Sequence, residues 1–152
     1  LKGKNVAVTA GTTSEKLLNK MNDEKGLAVN IISVKDHGDA FRTVESGRAV
    51  AFFMDDALLA GERAKAKKPA DWIIVGTPQS FEAYGCMVRK GDAQFKKLLD
   101  DVIAAEQSNG NAEKSFNRWF MQPIPPKNMN MNFEMSNEMK ALFKAPNDKA
   151  LN

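Results

Sequence analysis

The chain has 152 residues, 43% hydrophobic and 27% charged, with a net charge of +3 from 22 basic and 19 acidic side chains. That length allows one ordinary domain or two small lobes around a real core, and the composition is that of a globular chain. No run approaches the roughly 18 apolar residues of a membrane helix, and the small, interspersed excess of cations lacks the basic stripe that nucleic-acid binding requires.

The chain opens on Leu1 with no basic-then-apolar leader before it, so a processed or cut chain is the expectation. Three β-then-α units come next. Strand NVAVTA leads to a helix from about Thr13 to Asn22, with Leu17, Leu18 and Met21 on one face. Strand VNIISV leads to a helix after His37, with Phe41 and Val44 inward. Strand AVAFFM leads to a helix after Asp55 that carries Leu58 and Leu59. Continuous apolar strands alternating with helices predict a mostly parallel sheet covered on both faces, reached by right-handed crossovers. The basic cluster RAKAKK, Arg63 to Lys68, reads as a solvated helix end with cations near the negative pole of the dipole.

Beyond this block, DWIIVGTPQS predicts a strand over Asp71 to Gly76, and AYGCMVRKGD a second one that stops at Gly91. Cys86 lies in that apolar run, without a partner or metal-ligand spacing, and its default is a buried structural thiol. AQFKKLLDDVI predicts a helix striped by Phe95, Leu98, Leu99, Val102 and Ile103. The SNGN break separates it from another helix with Phe116, Trp119 and Phe120. QPIPPKN predicts a rigid, extended linker, and Met135, Met139, Leu142 and Phe143 predict a short docked helix near the end. The two long helices after Tyr84 have strong apolar faces and a single strand to cover them.

Ligands of open α/β sheets bind beyond the C-terminal ends of the strands. The first exit offers Gly11, Thr12, Thr13 and Ser14; the second Lys35, Asp36, His37 and Gly38; the third Asp55 and Asp56. The early N–H groups of a helix after Thr12 suit an anion, although Thr12 and Glu15 also have capping-box spacing, which would satisfy donors internally. His37, the single histidine, is either a structural residue or a donor to an acidic group. Asp55 is either a helix cap or a partner for an ammonium. Together an anion cradle, a donor imidazole and a carboxylate complement an α-amino acid with an acidic side chain. No nucleophile–base pair, metal cluster or cofactor motif accompanies them, so no enzyme activity and no cofactor are expected.

The stretches LKGKNVAVTAGTTSE, KDHGDAFRTVESGRAVAFFMDDALLAGERAKAKKP, EAYGCMVRKGDAQFKKLLDD and NRWFMQPIPPKNMNMNFEMSNEMKALFKAPNDKALN resemble the periplasmic solute-binding proteins of amino-acid ABC transporters, in particular the glutamate/aspartate-binding subgroup. The resemblance covers the C-terminal portion of such a protein. It implies a type 2 periplasmic binding protein with two lobes that close over the ligand about a hinge of two crossing strands. Residues 1–83 correspond to the ligand-binding second lobe, and residues 84–152 to the returning hinge strand, helices and tail of the first lobe. The rest of the first lobe, with an arginine clamp for carboxylates, would precede Leu1.

By the same resemblance, Thr13 and its backbone, with Thr12 and Ser14 beside it, would meet the ligand α-carboxylate. His37 would meet the side-chain carboxylate, and Asp55 the α-ammonium. Cys86 would pair with a cysteine on the preceding crossing. The expected partners are L-glutamate or L-aspartate and the membrane permease of an ABC importer, in the periplasm. A homodimer through exchange of the C-terminal helices is an expected cover for the surplus apolar faces. The alternatives are an enzyme of the same fold, of the small-acid dehydratase type, and a ligand-sensing domain, against which the polar ending APNDKALN argues.

Overall fold

The computed structural model describes residues 1–149; the last three residues of the polar ending lie outside the described residues. Two compact units divide at Ile74 and Val75.

The first unit contains the three anticipated β–α repeats. Strand β1 (Asn5–Thr9) is followed by helix α1 (Thr13–Glu24), β2 (Asn30–Val34) by α2 (His37–Glu45), and β3 (Ala51–Phe52) by α3 (Asp56–Lys65). The strands are parallel in the order β2-β1-β3. Val6 lies opposite Ile31, Thr9 opposite Val34, and Ala7 opposite Phe52. Strand side chains alternate between faces, and β1 is buried on both. Val6 and Val8 pack with Leu18 of α1 and with Val29. Ala7 packs on the opposite face with Ala40 of α2 and with Ala49. The small side chains at 7, 40 and 49 let α2 approach β1 closely. Thr9, in phase with Ala7, therefore emerges on the α2 side.

Helix starts are capped where the sequence supplies oxygen acceptors. Asp36 caps α2 by accepting from the Asp39 N–H at 2.8 Å, a bond that holds its carboxyl below the usual carboxylate range. Phe41 and Val44 are half-buried, and the fully inward residues of α2 are Ala40 and Thr43. A short 3-10 turn, Pro69–Asp71, closes the unit and brings Trp72 edge-on to Phe41 with ring centroids 5.2 Å apart.

The second unit holds α4 (Ala93–Ser108), α5 (Asn111–Phe120) and α6 (Asn137–Lys144). Its packed centre is aromatic. Phe116 stacks on Phe120 with centroids 4.5 Å apart, Phe133 lies against both, and Met135 is buried. Gly110 takes a positive φ of 83° at the N-cap of α5, which explains the SNGN break. Lys96 binds Asp100 at 2.5 Å and Asp148 at 2.8 Å, tying the end of the described chain to α4. The predicted QPIPPKN linker is not a straight spacer. The chain folds back so that the Ile124 N–H donates to the Met129 carbonyl at 2.9 Å.

Two expected strands do not form. Residues 72–76 and 83–90 are irregular, although Ile73, Ile74, Val75 and Met87 have strand-type side chains. A strand exists only where a neighbouring strand satisfies its N–H and C=O groups in a ladder, and among the described residues neither stretch joins one. Ile73 and Val75 are each 76% exposed and Met87 is 98% exposed. The expectation of a buried Cys86 falls for the same reason: its thiol is free and exposed. Of the expected stripe on α4, Phe95, Leu98, Val102 and Ile103 are exposed and Leu99 is half-buried.

Burial predicts contrasting sensitivities. Val8→Ala, at a fully buried site, should lower unfolding free energy by about 2 kcal/mol. Leu98→Ser on the exposed stripe should change it by about 0.5 kcal/mol or less. Urea titration of the two variants checks the contrast; equal losses would contradict the exposure of α4.

Candidate ligand-binding site

Short connections bring all three helix starts to one edge of the sheet. The central strand β1 ends at Thr9, Gly11 takes a positive φ of 75°, and α1 begins within the next two residues. The Thr12 hydroxyl is committed on both sides. It accepts from the Glu15 N–H at 3.1 Å and donates to the Thr9 carbonyl at 2.8 Å. The expected capping interaction is therefore present at Thr12, but Glu15 does not reciprocate to the Thr12 N–H. Its carboxylate instead accepts from the Gly11 N–H at 2.7 Å and from the Ser33 hydroxyl of β2. One carboxylate thereby clips the β1–α1 turn to the neighbouring strand end. These bonds, that from Ser33 foremost, lower the Glu15 pKa below its usual value.

The other exits are drawn to the same place. His37 opens α2, half-buried, and its Nδ1 lies 2.8 Å from the buried Thr9 Oγ1. Asp55 precedes α3 but makes no side-chain cap there; Asp56 provides the local bond, accepting from the Ala57 N–H at 2.8 Å. Asp55 is turned toward α1, where the buried Ser14 hydroxyl donates to its Oδ1 at 3.2 Å. Thr13 is exposed in the first turn of α1. The five residues singled out from the sequence thus gather beyond the end of β1: Thr12, Thr13 and Ser14 on the central turn, His37 joined to it on one side and Asp55 on the other.

The arrangement is polarised. The N-terminus of α1 presents a positive dipole end, His37 a ring with a second nitrogen, and Asp55 a carboxylate. Such a surface offers groups complementary to both charges of a small zwitterion. No group of three or more potential metal ligands occurs among the described residues. Sequence reasoning missed three contributors: Thr9, Glu15 as a clip, and Ser33. A threonine closing the otherwise apolar run Val6-Ala7-Val8 was a legible signal for the first. The pairing of Glu15 with Ser33 needs the β1–β2 register and has no local signature.

In fold the chain is similar to solved amino-acid-binding proteins. The structure of an ancestral arginine-binding protein bound to arginine matches with a TM-score of 0.66 at 30% identity, over 79% of this chain and 52% of that one. More narrowly, the chain is 73% identical over all of its 152 residues to the glutamate/aspartate import solute-binding protein of Salmonella typhimurium. It is 63% identical over 150 residues to the L-glutamate/L-aspartate-binding protein of Pseudomonas aeruginosa. The alignments cover 50% of each relative, so the chain spans about half the length of the curated relatives it matches. No family model matches the chain.

The Glu15 clip has a pH signature. Because its carboxyl is lowered in the folded state from an ordinary value of 4.5, its contribution to stability is present above that value and is lost as pH falls through the lower folded value. Glu15→Gln should therefore lose less stability than the parent between about pH 5 and pH 3. Denaturant titrations across that range test it; identical acid limbs would contradict the clip.

Proposed function

We propose that this chain forms part of a periplasmic binding protein that captures an acidic L-amino acid, glutamate or aspartate, and delivers it to the membrane permease of an ABC importer. The observation that carries the reading is the junction of three strand exits through the Thr9–His37 and Ser14–Asp55 hydrogen bonds. The similarity of this chain to half the length of glutamate/aspartate solute-binding proteins supports it. In this reading the ligand α-carboxylate sits at the start of α1 on Thr13 and adjacent backbone, with Thr12 and Ser14 in support. The side-chain carboxylate meets His37, and the α-ammonium meets Asp55.

Selectivity arises from leaving groups unmatched. A neutral apolar side chain would bury a donor without an acceptor, which costs about 1–3 kcal/mol. This chain supplies one wall of the cleft. The opposite wall belongs, in this proposal, to the part of the relatives' length that the chain does not span. Residues 1–83 make the ligand-gripping lobe and residues 84–152 return to the other, with closure about a hinge between them. That partner region also covers the exposed stripe of α4. A homodimer through helix exchange is the other expected cover, and no observation favours it.

The relatives' names are those of transport proteins, which favours binding over catalysis. No helix among the described residues is long and apolar enough to cross a membrane. The exposed Cys86 suits a disulfide to a cysteine outside this chain in an oxidising compartment.

Calorimetry on the intact protein should give saturable heat with glutamate. His37→Ala should weaken that binding by about 10- to 100-fold, the loss of one or two charge-assisted hydrogen bonds, and affect neutral amino acids less. No heat with glutamate or aspartate from the intact protein would overturn the reading. Thiol titration of the unreduced intact protein should find Cys86 blocked; a freely reactive Cys86 would refute the disulfide alone.

A further inference from the structure

We propose that Thr9 is a positioning residue that sets the ring tautomer of His37, and thereby makes the neutral imidazole a donor to a carboxylate. The inference deepens the proposed function and rests on it for the identity of the ligand.

Thr9 ends the central strand on the face shared with Ala7 and α2, and it is 5% exposed. Its Oγ1 lies 2.8 Å from His37 Nδ1. Distance alone allows two arrangements: the hydroxyl donates to a bare Nδ1, or a protonated Nδ1 donates to the hydroxyl. The surroundings decide between them. Nδ1 is the one partner that the Thr9 side chain meets among the described residues, while the Thr9 carbonyl is engaged by the Thr12 hydroxyl at 2.8 Å. If Nδ1 donated, the buried hydroxyl proton would have no acceptor, and an unmatched buried donor is costly. The hydroxyl therefore donates, Nδ1 accepts, and the ring proton resides on Nε2.

The consequence is chemical selectivity without charge. A neutral ring carrying Nε2–H donates at that nitrogen, so it takes a carboxylate or carbonyl oxygen and opposes an ammonium or amide NH2. An imidazole left to choose its tautomer would present a bare Nε2 for part of the time. Binding of the acidic side chain then does not require prior protonation of His37.

The test is spectroscopic and uses the intact protein labelled with nitrogen-15. Long-range proton–nitrogen correlations are recorded at pH 8, above the range in which an ordinary imidazole titrates, and the His37 signals are those lost in His37→Gln. The parent should show a protonated Nε2 and a bare Nδ1. Thr9→Val, which keeps the shape and deletes the donor, should shift the ring toward a tautomer mixture and weaken glutamate binding about tenfold. Thr9→Ser should restore both. A parent ring protonated on Nδ1 would overturn the proposal, even if Thr9→Val failed to fold, and so would an unchanged tautomer in folded Thr9→Val. The expected tautomer shift, with no glutamate bound by the parent, would support the Thr9 assignment and overturn the ligand instead.

Discussion

Everything at the candidate site depends on the parallel pairing of β1 with both of its neighbours. Parallel strands joined by right-handed crossovers send every strand out at the same edge. Because β1 is central, its exit has a neighbour on each side. The turn after β1 therefore touches the start of α2, beyond β2, through Thr9 and His37. It touches the approach to α3, beyond β3, through Ser14 and Asp55. Had the pairing been antiparallel, adjacent exits would have lain at opposite ends of the sheet, and these bonds could not form.

Around that edge, side chains divide into those that build the turn and those left to act. Thr12 both accepts and donates within the turn, so its hydroxyl is structural. Glu15 clips the turn to Ser33 and Gly11 rather than closing a reciprocal box with Thr12. Asp55 behaves in the opposite way. The helix cap, one of its two readings from the sequence, is absent at its side chain, and the carboxylate joins α1 instead. An anion site and a capped helix were rival readings of the same residues. The structure shows the cap, made by the Thr12 hydroxyl, with the Glu15 and Asp55 carboxylates directed sideways.

The second unit illustrates the other side of the same physics. Its aromatic centre, built on Phe116, Phe120 and Phe133, is satisfied internally. By contrast, Phe95, Leu98, Val102 and Ile103 on α4 remain exposed, as do Tyr84 and Met87. Apolar area of this kind is a demand for a partner.

Much of this was legible in local pattern. Apolar runs and capping residues located the three β–α repeats, the break at Gly110 and the final helix to within a few residues, because period and caps are properties of neighbouring positions. The position of Thr12 to Ser14, His37 and Asp55 at helix starts beyond the strand ends was also legible, since such starts are marked by composition. Tertiary structure alone decided whether Ile73–Val75 and the run around Cys86 became strands, because a ladder needs a partner that propensity does not supply. It alone decided that Thr9 meets His37, that Glu15 meets Ser33 and that Asp55 faces Ser14. Those contacts join residues 18 to 41 positions apart, and only the register and order of the sheet bring them within hydrogen-bonding distance.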